Sequence, residues 1–236
     1  VIHLAAQSLL PVAQSKPTET FEVNVLGTLN LISALQAKPP ELLLVASSDK
    51  CYKPSSAPHQ ESDPLQGLEA YGASKAAMEI AVLGLSLPYP CSLLRPGNAI
   101  GAGDCSPNRL LPDTMRALHQ QHSLQLRTPN SARPWQHVIE LCWAIALLGT
   151  EDSKGTEAWN IGPNQSVTVR QMVSEAQRHW QRATVSNVVP AHYPDDPQLA
   201  LNCSKLVNTL GWQPNLSTST RIQWTVEGQQ ALLRGK

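Results

Sequence analysis

The chain has 236 residues, 42% of them apolar and 15% charged, the composition of an ordinary globular protein of one large or two small domains and not of a disordered or supercharged chain. Its 18 basic and 18 acidic side chains cancel, so no strong field is present to hold a nucleic acid or an anionic membrane surface, and neither is expected as a partner. The longest apolar runs, Leu42 to Ala46 and Ala144 to Leu148, fall far short of the ~18 to 20 residues that cross a bilayer.

In chain order, Val1 to Ala6 reads as an apolar strand entered without a preceding turn, so the chain is expected to be a fragment. From Pro17 a helical period follows in which Phe21, Val25, Leu29 and Ile32 share a face, and Pro39-Pro40 ends it. Leu42 to Ala46 is a continuous apolar run, the pattern of a strand buried on both faces of a parallel sheet. After a Ser- and Pro-rich stretch over 53–67, a second helical period runs from Tyr71 to Leu85, and Cys91 to Arg95 forms a third strand that Pro96-Gly97 closes. Beyond Gly103 come a helix over Leu110 to His122, a helix over Ile139 to Leu148 and a strand and turn over Trp159 to Pro163. Amphipathic helices then span Val169 to Trp180 and Ser204 to Leu210, with Gly211 as C-cap. The fold class is α/β, a doubly wound parallel sheet with a smaller, loop-rich lobe.

The cysteines, five in number, are scattered without zinc-ribbon or redox spacing, which reads as reduced thiols of a cytoplasmic protein. His119 and His122 stand three apart on one predicted helix but lack a carboxylate partner, so no metal site is expected.

Chemistry gathers at two places. In Tyr71-Gly72-Ala73-Ser74-Lys75 the Tyr and Lys share a helix face, where an ammonium can stabilise a tyrosinate and make the phenol a usable acid or base. A solvated i,i+4 pair is the competing reading of that motif taken alone. About twenty residues upstream, Ser47-Ser48-Asp49-Lys50 follows the strand 42–46, at the carboxyl end of a parallel sheet where ligands bind. A hydroxyl, an acid and an amine are thus delivered to the mouth that Tyr71 also faces.

These residues resemble the extended short-chain dehydrogenase/reductase superfamily. Its motifs correspond to His3-Leu4-Ala5-Ala6, Asn24-Val25-Leu26-Gly27-Thr28, the Ser47-Ser48 strand end, Tyr71-x-x-x-Lys75 and Arg95-Pro96-Gly97-Asn98. Within it the chain is most similar to the CDP-glucose 4,6-dehydratase family, through Ser48-Asp49-Lys50-Cys51-Tyr52, Arg109-Leu110-Leu111-Pro112-Asp113, Arg133-Pro134-Trp135-Gln136-His137-Val138 and Cys203-Ser204-Lys205. The resemblance implies NAD as cofactor, CDP-glucose as substrate and a homodimer formed through the helices around 17–36 and 71–85. It implies a partial NAD-binding domain over 1–100 and 136–163 and a sugar-nucleotide lobe over 101–135 and 164–236. Tyr71, assisted by Lys75 and with Ser48 holding the sugar oxygen, takes the C4 hydroxyl proton; Asp49 protonates the departing C6 hydroxyl and Lys50 is the C5 base. Leu4, Ala5, Ala6, Gln7, Asn24, Ser47, Pro96 and Asn98, with Tyr71 and Lys75, face the cofactor, and Asn24 also orders the active-site helix. Asn98, Arg109, Leu110, Arg133 and His137 face the substrate, the two arginines as forks for its diphosphate, while packing remains open as the role of His137.

Three departures qualify this pattern. The glycine-rich phosphate loop and the ribose-binding acid are absent, about as much as roughly two βαβ units would supply, so this chain alone is expected to bind NAD poorly and to be inactive. Asn202 replaces an Asp before Cys203-Ser204-Lys205, and Gly228-Gln229 replaces an aromatic pair.

Overall fold

The computed structural model describes residues 1–190 and 194–234. Its centre is a four-stranded parallel sheet built from β1 (Ile2–His3), β2 (Leu43–Ala46), β3 (Cys91–Pro96) and β8 (Thr156–Ile161) in the order β1-β2-β3-β8. Alternate side chains of β2 serve opposite faces, as the twofold period of a strand requires. Leu43 and Val45 pack with Ile32, Met78, Val82 and Leu93, whereas Leu44 packs with Leu94, Ala144, Leu148, Ile161 and Trp212. Helices therefore cover both faces, and the continuous apolar run of β2 is explained.

The helices that position the site lie on the first face. After α1 (Leu10–Ser15), α2 (Pro17–Phe21) runs through a π-helical turn over Glu22–Leu26 into α3 (Gly27–Leu35), and α4 (Ala70–Leu83) packs beside it. The expected apolar stripe of Phe21, Val25, Leu29 and Ile32 is not the buried one. Of its members Ile32 alone is buried, in line with Thr20, Asn24 and Thr28, and Phe21 is 36% exposed. The π turn inserts an extra residue per turn and rotates the helix, and the polar stripe finds partners, Asn24 Nδ2 donating to Ser74 Oγ of α4 at 2.9 Å.

The second lobe begins with β4 (Ala99–Ile100) and α5 (Leu110–Gln120), followed by the short strands β5 (Leu124–Leu126), β6 (Ala132–Arg133) and β7 (Gln136–His137). Helix α6 (Val138–Leu148) returns to the sheet before β8; then come β9 (Val167–Thr168), α7 (Val169–Trp180), β10 (Ser186–Val188), α8 (Ser204–Leu210) and α9 (Thr218–Arg234). A separate core of Leu111, Met115, Leu118, Met172, Trp180, Ile222 and Val226 joins α5, α7 and α9. Gly211 ends α8 at φ +65°, as its C-cap assignment requires. Gln121 turns left-handed at φ +57° and ends α5, so His122 leaves the helix that carries His119 and the two do not share a face. The strand expected from Trp159 starts three residues earlier and ends at Ile161. Among the described residues no helix is long and apolar enough to cross a membrane.

Candidate active site

The carboxyl ends of β2 and β3 open into a cavity of about 290 Å³. Its wall is Ser47 to Lys50 after β2, Tyr71 of α4, Pro96 to Gly101 after β3, Asn108 to Pro112 at the start of α5, Ser8 to Leu10, Asp104 and Trp135. The sequence-predicted Ser47, Ser48, Asp49, Lys50, Tyr71, Pro96, Asn98, Arg109 and Leu110 are thus brought together from four separate parts of the chain.

Local backbone chemistry fixes the segment after β2. Ser48 is extended and caps a single 3-10 turn over Asp49–Cys51, its Oγ accepting from the Lys50 N–H at 3.2 Å and donating to Asp49 Oδ1 at 3.1 Å. Asp49 is buried at 4% exposure and its Oδ2 has no hydrogen-bond partner among the described residues. Burial pushes its carboxyl above the usual carboxylate value, against the pull of Lys50, Arg133 and the Ser48 hydroxyl. A carboxylate raised in this way accepts a proton more readily than a free one.

Helix α4 is pressed against that turn. A Cβ on Gly72 would stand 2.4 Å from the Lys50 carbonyl oxygen, so only glycine permits the approach. Glu69 caps the helix, its carboxylate accepting from the Tyr71 N–H at 2.7 Å and the Gly72 N–H at 3.0 Å. Tyr71 therefore projects from a fixed first turn. Burial pushes its phenol up to about 12, the neighbouring Ser48 hydroxyl drawing it down and Asp49 and Glu69 raising it.

Lys75 does not act as the shared helix face led us to expect. Its ammonium donates to the Ala46 carbonyl at 2.6 Å, and burial brings it down to about 8, with Glu79 and Cys51 opposing. The carbonyl at the end of β2 competes successfully for it, so the phenol is not drawn below its ordinary value. Asn24 does order this region: its amide donates to the Gln7 carbonyl at 2.9 Å and accepts from the Gln7 N–H at 2.8 Å while also holding Ser74.

Eight expected residues lie off the cavity wall, among them Gln7, Asn24 and Lys75 just described. Leu4, Ala5 and Ala6 follow β1 at the edge of the sheet, where Leu4 is 59% exposed. Arg133 is buried, with Nη2 at 2.6 Å from Asp195 and Nη1 donating to the Ala132 carbonyl at 2.7 Å. His137 caps α6 through a reciprocal pair with Glu140 and meets Trp224 edge to face, so its role here is packing and capping. Arg109 remains half exposed on the wall, with Nη2 donating to Ser8 Oγ at 2.9 Å.

The residue that sequence reasoning missed is Asp195. It receives Lys50 Nζ at 3.1 Å, Arg133 Nη2 at 2.6 Å and Thr128 Oγ1 at 3.2 Å. Burial would raise its carboxyl, but Lys50 and Arg133 outweigh that and hold it below the usual carboxylate value. Nothing in Pro194-Asp195-Asp196-Pro197 marks it, because its partners are far away in sequence. Glu69 was missed too, since glutamate is not among the favoured N-caps.

Residues 1–162 match the NAD dependent epimerase/dehydratase family, and the chain belongs to that family. It is 31% identical over 257 aligned positions to the CDP-glucose 4,6-dehydratase of Salmonella typhimurium, covering 100% of this chain and 72% of that protein. It is 27% identical to a UDP-glucose 4-epimerase of Corynebacterium glutamicum, covering 95% of this chain and 74% of the relative. Among solved structures, the UDP-glucose 4-epimerase of Thermus thermophilus in complex with NAD superposes with a TM-score of 0.86 at 28% identity, covering 98% of this chain and 77% of that one. An enzyme of the nucleotide-sugar dehydratase and epimerase type follows, with the Rossmann-like parallel sheet of that family.

Proposed function

We propose that the protein is a CDP-glucose 4,6-dehydratase, converting CDP-glucose to CDP-4-keto-6-deoxyglucose and water. The observation that carries this reading is the buried Asp49, its carboxyl raised above the usual value and set beside Lys50 on the wall that Tyr71 shares. A 4-epimerase has no use for an acid at C6 or a base at C5, whereas a dehydratase needs both.

The residues fit a dinucleotide at its nicotinamide end. They sit at the carboxyl ends of parallel strands, and the buried Ser47 Oγ has no partner among the described residues. Ser47, Pro96, Asn98, Tyr71 and Lys75 would hold NAD, which supplies acceptance of a hydride and its later return. Tyr71 takes the C4 hydroxyl proton, with Ser48 beside it on the same wall. The resulting 4-ketone acidifies C5; once its bridge to Asp195 opens and its ammonium proton passes to solvent, Lys50 removes the C5 proton, and Asp49 protonates the departing C6 hydroxyl. Lys50 then returns a proton to C5. Arg109, on the wall and partly exposed, is the guanidinium for the diphosphate, while Arg133 keeps Asp195 in place. The sheet portion over 1–100 and 136–163 serves the cofactor, and the remainder serves the sugar nucleotide. A second copy of the chain packs on the helices around 17–36 and 71–85, where Phe21, Leu26, Ile80 and Leu83 are exposed.

The test is Lys50→Ala in the NAD-loaded protein as its own cell makes it. Formation of the 4-keto-6-deoxy product, followed by proton NMR, stops while oxidation at C4 persists. Unaltered product formation would remove Lys50 from the mechanism. The second reading, a 4-epimerase, has the 27% identical relative in its favour and Asp49-Lys50 against it.

A further inference from the structure

Dehydration to a 4-keto-6-deoxy sugar leaves a proton account that this site can close on itself. The C4 hydrogen departs as hydride and ends on C6, and the C5 proton leaves and returns. The C6 hydroxyl departs as water, so the one proton it gains equals the one lost by the C4 hydroxyl. Tyr71 takes that proton and Asp49 delivers it, yet they are different side chains. Ser48 is hydrogen-bonded to Asp49, and its hydroxyl acts on the Tyr71 phenol. Its Oγ donates to Asp49 Oδ1 at 3.1 Å and accepts from the Lys50 N–H at 3.2 Å, which leaves one lone pair free on an oxygen that shares the cavity wall with Tyr71. Tyr71 is a phenol in these surroundings, and Lys75 is turned to the Ala46 carbonyl. Such a phenol can take a proton only by handing its own on.

We propose that Ser48 passes a proton from Tyr71 to Asp49, so that oxidation at C4 loads the acid that expels the C6 hydroxyl. This rests on the dehydratase reading given above. As the C4 O–H bond breaks, its proton goes to the Tyr71 oxygen, the Tyr71 proton goes to Ser48 Oγ, and the Ser48 proton goes to Asp49 Oδ1, while C4=O forms with loss of the hydride. Lys50 then takes the C5 proton, the C5=C6 bond forms as the C6–O bond breaks, and the proton on Asp49 leaves in the water. Hydride return to C6 and proton return from Lys50 to C5 restore every group, Asp49 as carboxylate and Tyr71 as phenol, with no net uptake of a proton from solvent.

The discriminating variant is Asp49→Asn, because a residue needed only at C6 has no part in oxidation at C4. CDP-6-deoxyglucose has no C6 hydroxyl to lose, so the NAD-loaded protein can carry out only the first step on it, read as absorbance of the reduced nicotinamide. The relay predicts that Asp49→Asn slows this step roughly 100-fold. Ser48→Ala slows it as well, the double variant is no slower than the slower single one, and Ser48→Thr restores the rate. Loss of the negative charge beside Tyr71 would by itself ease oxidation, so electrostatics alone gives the opposite sign. Oxidation by Asp49→Asn at the wild-type rate or faster, or effects that multiply in the double variant, overturns the relay. If the unmodified protein dehydrates CDP-glucose while Asp49→Asn oxidises normally, the relay alone falls; if it converts CDP-glucose only to the C4 epimer, the dehydratase reading falls and takes the relay with it.

Discussion

Two sets of buried polar side chains flank β3, and they differ in how far their hydrogen-bonding capacity is met. On one side Arg95 lies on the Glu79 carboxylate through Nε at 3.0 Å, and its Nη1 donates to Tyr52 Oη at 2.8 Å and to the Glu61 carbonyl at 2.9 Å. Tyr52 in turn donates to Asn160 Oδ1 at 2.6 Å and stacks on His59 with ring centroids 4.5 Å apart. On the other side, Ser47 Oγ and Asp49 Oδ2 are buried without partners among the described residues, and Tyr71 and Asp49 are shifted by burial. Apart from His59 Nδ1 the first network is saturated and specifies the scaffold, whereas groups left short of partners are available to a ligand and to proton transfer.

This contrast predicts opposite responses to substitution. In the saturated network, Glu79→Gln leaves the Arg95 guanidinium buried without its charge partner and costs about 3 to 5 kcal/mol, read from urea unfolding. Replacing both partners with apolar residues of similar volume recovers most of that loss. In the cavity, Asp49→Asn lowers dehydration by roughly 100- to 10,000-fold but does not lower stability at neutral pH. The sign follows from linkage. An acid whose folded value lies above its unfolded 3.8 is stabilising when protonated, and that stability is lost as pH rises through the folded value. The amide has no such loss, so its urea midpoint at neutral pH stands above that of the parent.

The same contrast decides what was legible in the sequence. The strand 43–46 and the helices 169–180 and 204–210 were readable because periodicity and caps are local. So was the convergence of Ser48, Asp49, Lys50 and Tyr71, since the carboxyl end of a parallel strand is a place that topology dictates. The buried stripe of α3 was not, because a π turn changes the period without a sequence mark. Nor was Asp195, whose meaning lies in Lys50, Arg133 and Thr128, nor the diversion of Lys75 to a backbone carbonyl, which depends on burial that spacing does not report.

Smaller effects sharpen the boundary between the two sets. Gly72→Ala drives a methyl group to 2.4 Å from the Lys50 carbonyl oxygen, so α4 must retreat; about 1 to 3 kcal/mol of stability is lost, with a fall in kcat larger than the change in KM. Lys75 titrates at about 8 in the fold and 10.5 when unfolded, so the unfolded chain binds more protons between those values and stability rises with pH across that window. Lys75→Met flattens that rise in urea titrations. Arg178→Ala, at a largely exposed ion pair with Glu175, changes stability by no more than about 0.5 kcal/mol.

The most direct test of the dehydratase reading is proton NMR of CDP-glucose turned over in deuterated water by the NAD-loaded protein as its own cell makes it. The account predicts a 4-keto-6-deoxy sugar with a methyl group at C6 and deuterium at C5, because Lys50 exchanges the proton it removes before returning one. A product that is only the C4 epimer, with C5 unlabelled and the C6 hydroxyl retained, would contradict it.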